Sequence, residues 1–124
     1  MIDKYNFTGM VFGKHDCLTM LLEAVGDNET LDLIKGKYRS LAGGLKRLPS
    51  ITGHESLHDY LIAKGYTEIT PTFARDNDIA VQDGCHTMIF TNGHLFGVKD
   101  DNTFGLRKTN ILKIPEDVKI YRAP

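Results

Sequence analysis

The chain has 124 residues, enough for one hydrophobic core and too few for two. With 41% hydrophobic and 25% charged residues it has the composition of a chain that folds. Fifteen cations against sixteen acids leave a formal charge of −1, which gives no bulk attraction to nucleic acid or to an anionic membrane. No apolar run approaches the ~20 residues that span a bilayer.

Met1-Ile2-Asp3-Lys4-Tyr5 lacks the apolar stretch of a signal peptide, so a chain made and kept in a cytosol is expected. In that compartment Cys17 and Cys85 are expected as free thiols. Asp16 is a good N-cap, and Leu18, Leu21, Leu22 and Val25 behind it recur at the spacing of a core-facing helix that opens at Cys17. Gly26-Asp27-Asn28 is a break, after which Glu29 or Thr30 opens a second helix with Leu31, Ile34, Tyr38 and Leu41 on its buried side. Gly43-Gly44 is expected to interrupt that helix, Leu45 and Leu48 to continue a short apolar face, and Pro49 to stop it. Lys35, Lys37, Arg39, Lys46 and Arg47 form a local basic cluster that reads as a solvated helix face. Ser56 caps a third helix with core residues Leu57, Tyr60 and Leu61, ended by Gly65.

From Tyr66 the period changes to two. Strands are expected at 67–70, 79–82, 87–91, 95–98, 105–109 and 119–122, separated by Gly, Asn and Asp turn signals. Asn92-Gly93 marks a tight hairpin and Asp100-Asp101-Asn102 another turn. Helices followed by an antiparallel sheet make a single α+β domain over residues 1–124, the N-terminal helices packed on the C-terminal sheet.

Cys17 is the residue with the clearest chemical potential. In the first turn of a helix the macrodipole and free N–H groups favour an anion, and a thiolate, unlike a thiol, is a nucleophile. The plain alternative is a small, buried, inert core residue. A nucleophile needs a base within reach. His15 near a helix start points away from the thiol, His54 and His58 read as surface or capping residues, and His94 follows the turn into an exposed strand entry. His86 stands at the mouth of a strand, where the sheet can fix it opposite a helix N-terminus. His15, Cys17, Cys85 and His86 are zinc-competent types, but their spacings are poor, and adjacent strand residues such as Cys85 and His86 face opposite ways. No metal and no cofactor is expected. Gly43-Gly44 alone is no phosphate loop, so the sequence holds no sign of nucleotide binding.

Three blocks together resemble the NlpC-like branch of papain-fold cysteine peptidases, and more closely the small phage- and prophage-encoded proteins related to them. These are Phe12-Gly13-Lys14-His15-Asp16-Cys17, then Asp76-Asn77-Asp78-Ile79-Ala80-Val81, then His86-Thr87-Met88-Ile89-Phe90 with Asn92-Gly93. The segment from Gly36 through Leu57 to Gly65-Tyr66 looks like the insert of the phage subgroup. The resemblance spans roughly residues 10 to 110 and implies a papain-like fold. It makes Cys17 the nucleophile and His86 the general base, with Asp16, Asp78 and His94 supporting the site.

The chain departs from the family's pattern in three places. The residue that orients the imidazole falls near Phe96 or Gly97, with His94 two positions early; the site tyrosine maps near Met10; and Asn77 replaces a glycine. A Cys–His dyad is what remains. The implied activity is hydrolysis of a peptide amide, of cell-wall peptidoglycan in a phage setting, through a thioester intermediate. The alternatives are a non-catalytic virion or host-interaction protein that keeps the fold, and an acyltransferase or deamidase of host proteins. Partners are then a peptide-like substrate or a host or virion protein, with no nucleic acid and no membrane span; the place is the bacterial cytoplasm or the virion.

Overall fold

The computed structural model describes residues 2–107 and 114–124. Helices come first: α1 (Ile2–Tyr5), α2 (Cys17–Val25), α3 (Asn28–Ile34), α4 (Leu41–Thr52) and α5 (Leu57–Ala63). Strands β1 (Thr67–Ile69), β2 (Ile79–Gln82), β3 (His86–Thr91), β4 (His94–Val98), β5 (Phe104–Arg107) and β6 (Val118–Arg122) follow, with a short 3-10 turn at Pro71–Phe73. They build one antiparallel sheet in the order β1-β6-β2-β3-β4-β5, so the last strand returns to lie between β1 and β2. The architecture is α+β, as the sequence leads one to expect. The expected extension of β5 to Thr109 lies outside the described residues.

The sheet is apolar on both faces. Ile79, Val81, Ile89, Phe96 and Tyr121 share one cluster with Leu18, Leu21 and Leu22 of α2 and Ile34 of α3. Ala80, Met88, Phe90, Leu95, Val118 and Ile120 form a second cluster. Neighbouring residues of a strand point to opposite faces, so β2 and β3 divide their side chains evenly between the two. The β3–β4 hairpin turns at Asn92 (φ 52°) and Gly93 (φ 80°), both left-handed, as a two-residue turn requires.

The middle of the helical half differs from expectation. Gly36 (φ 76°) breaks the chain after α3, which puts Tyr38 in a loop instead of on a helix. Ser40 then caps α4, its hydroxyl accepting from the Gly43 N–H at 3.0 Å. Gly43-Gly44 lies inside this helix and does not interrupt it. A Cβ on Gly44 would meet the Tyr38 ring at 2.9 Å and Leu18 Cδ2 at 3.0 Å, so the glycine serves close packing of α4 against the core. Pro49 does not stop α4 either. The helix continues to Thr52 and is ended by Gly53 (φ 78°), and the Ser50 and Thr52 hydroxyls donate to the carbonyls of Arg47 and Leu48 around the proline. Ser56 caps α5 as expected, accepting from the Asp59 N–H, and Gly65 (φ 89°) follows its end.

Candidate functional site

Asp16 does more than start α2. Its Oδ1 accepts from the Thr19 N–H at 2.8 Å, while Oδ2 accepts from the Gly13 N–H at 2.8 Å and from the Tyr38 hydroxyl at 2.7 Å. Thr19 completes a capping box, its hydroxyl accepting from the Asp16 N–H at 2.9 Å. Gly13 (φ 81°) makes the approach feasible, since a Cβ there would lie 2.6 Å from the Tyr38 carbonyl oxygen. The carboxylate is 1% exposed. Its place beside Cys17 agrees with expectation, but the contacts it makes are those of a structural clasp joining α2 to the Tyr38 loop.

Cys17 opens α2 and is 8% exposed. Burial pushes its thiol above the ordinary range, and the Asp16 carboxylate and Cys85 push the same way; the Thr87 N–H and hydroxyl oppose them only in part. The expected stabilisation of the thiolate is therefore reversed. The helix start that should favour an anion at Cys17 already carries one at Asp16, which accepts from the Thr19 N–H of the first turn and sets a negative charge beside the sulfur.

Thr87 is the β3 residue that meets α2, its hydroxyl donating to the carbonyl of Cys17. Ile89, two positions on, belongs to the same apolar cluster as α2, whereas Met88 and Phe90 belong to the other. His86 shares the face of Met88 and Phe90 and is exposed, so it projects from the side of the sheet away from Cys17. The two proposed members of the dyad are not brought together. A shift of one residue decides it, and sequence reasoning missed Thr87.

The supporting residues also lie elsewhere. Asp78 precedes β2 on the face opposite α2, buried in a two-pronged pair with Arg122 (Nε to Oδ1 3.1 Å, Nη2 to Oδ2 2.9 Å). His94 pairs with Thr91 at the hairpin end of the sheet, four residues along β3 from Thr87 and thus about 13 Å away. His15 points away from the thiol, as expected. It stacks on Tyr5 with centroids 4.0 Å apart and its Nε2 lies 2.6 Å from the Thr8 hydroxyl. Burial and the neighbouring Lys4 hold its pKa below the usual value. Both cysteines are free thiols.

Among the described residues no three His, Cys, Asp or Glu side chains converge on a metal position. No described helix is long and apolar enough to cross a membrane. In comparisons with known proteins, residues 1–114 match the family of a domain of unknown function, DUF6950, and the chain belongs to that family. No curated protein and no solved structure matches it.

Proposed function

We propose that this chain is a non-catalytic interaction domain, a virion or phage–host interaction protein, in which the position of a cysteine nucleophile has become a packing position. One observation carries the reading: Thr87, and not His86, faces Cys17. A buried thiol with a raised pKa, beside a hydroxyl and a carboxylate already engaged by three hydrogen-bond donors, lacks the imidazole that would serve it as general base. The contacts around it join elements of the fold, with Asp16 fastening the Tyr38 loop and Thr87 fastening β3. The second reading is a cysteine hydrolase, favoured by the position of Cys17 at the start of a helix that packs on the sheet.

Iodoacetamide alkylation of the folded protein across pH separates the two. A Cys85→Ser background leaves Cys17 as the single thiol. Slow modification is expected, rising only at or above the ordinary thiol range near pH 8.5 and unchanged by His86→Ala. Modification that stays fast below about pH 7 and disappears in His86→Ala would overturn the proposal in favour of a thiolate–imidazolium pair.

A further inference from the structure

The basic cluster that reads from sequence as a solvated helix face has a different geometry in the fold. Lys37 and Arg39, from the loop after α3, and Lys46 and Arg47, from α4, line one cavity of about 480 Å³ together with Tyr38 and Gly43. That volume is the size of a small-molecule site. All four cations are exposed, and no hydrogen bond or ion pair engages any of their side chains among the described residues. No acidic residue lines the cavity. Between Asp32 and Glu55 the chain holds five cations and no acid. Four like charges around one concavity repel each other, and an anion placed among them relieves that repulsion.

We propose that this cavity binds a compact polyanion, a diphosphate group, either free or as part of a nucleotide. Four cations match the charge of a diphosphate better than that of a single carboxylate, and the two guanidinium groups can each grip a phosphate in two-pronged fashion. Length is limited by the rest of the chain, which carries eleven cations against sixteen acids and repels an extended strand of nucleic acid running off the cavity. The site is separate from Cys17, and its test stands whichever way the alkylation experiment falls.

The test is calorimetric titration of the full chain with pyrophosphate, ADP, inorganic phosphate and a short single-stranded oligonucleotide, at about 50 mM and about 200 mM salt. Pyrophosphate is expected to saturate one site, to bind more tightly than inorganic phosphate, and to weaken as salt rises. Lys46→Gln/Arg47→Gln and Arg39→Gln, all at exposed positions, should each lower its affinity about tenfold or more while leaving the melting transition in place. ADP binding more tightly than pyrophosphate assigns the group to a nucleotide; equal binding assigns it to free diphosphate. Absence of saturation by pyrophosphate below about 10 mM overturns the proposal. So does unchanged binding in the variants, or an oligonucleotide that binds far more tightly with a steeper salt dependence.

Discussion

Two aspartates cap two successive helices, and each also accepts the hydroxyl of a tyrosine from far along the chain. Asp16 caps α2 and holds Tyr38; Asp27 caps α3 and holds Tyr60 at 2.6 Å. Their surroundings differ. Asp16 is sealed in and satisfied by three fixed neutral donors, the Gly13 and Thr19 N–H groups and Tyr38. Asp27 lies nearer the surface and draws on two hydroxyls, one N–H and a half-exposed cation, with Lys64 Nζ 3.4 Å away. One clasp is stiff and dry, the other partly wet. The difference bears on the candidate site, because the stiff clasp is the one that sits beside Cys17 and closes it.

The largest expected effect follows from this contrast. Asp16→Ala strands three donors in a site water does not reach and should cost about 3 kcal/mol or more. Asp27→Ala leaves the Thr30 and Tyr60 donors beside a surface pocket that water can enter, and should cost about 1 to 2 kcal/mol. Denaturation midpoints of the two variants decide it; equal losses would break the comparison. A double-mutant cycle of Asp16→Ala with Tyr38→Phe should show strong coupling, since the two groups share one bond.

Acid unfolding sharpens the contrast at a smaller scale. Burial would raise the Asp27 pKa, but the Thr30 and Tyr60 hydroxyls, the Thr30 N–H and Lys64 outweigh it and bring it from 3.8 to about 2. A carboxyl with a lower pKa in the folded chain than in the unfolded one contributes stability that is complete above the unfolded value. That contribution, here about 2 kcal/mol, is lost as pH falls from about 4 through about 2. Asp27→Asn should flatten the stability profile in that window. A profile unchanged by the substitution would show that the hydroxyls do not hold the charged form.

The parts of this arrangement that were legible in the sequence are the local ones. Asp16 and Ser56 announce their helices because a cap is decided within four residues, and Asn92-Gly93 announces its hairpin for the same reason. The Tyr38 clasp was not legible, since its partner lies 22 residues away and Gly36 removes Tyr38 from the helical period that its spacing suggests. Nor was the face of β3. In a half-buried strand, alternation tells which residues point inward, but Met88, Ile89 and Phe90 are all buried, in two different clusters. A sheet with apolar residues on both faces hides its own register. A family-like His86 could therefore be set over Cys17 on paper, while in the fold Thr87 takes that place.

The smallest effect tests whether charge has any share in the contrast between the clasps. Lys64 is 43% exposed in its side chain, 3.4 Å from Asp27 and 5.7 Å from the centre of the Tyr60 ring. An exposed ion pair gains little over solvent, so Lys64→Gln should cost no more than about 0.5 kcal/mol. It should also move the Asp27 acid transition only slightly upward, because the hydroxyls that dominate the lowered pKa stay in place. If Lys64→Gln instead cost as much as Asp27→Ala, the α3 cap would be an ion pair and its tyrosine incidental. The likeness between the two clasps would then end at their sequence pattern, and only Asp16 would be held by hydrogen bonding alone.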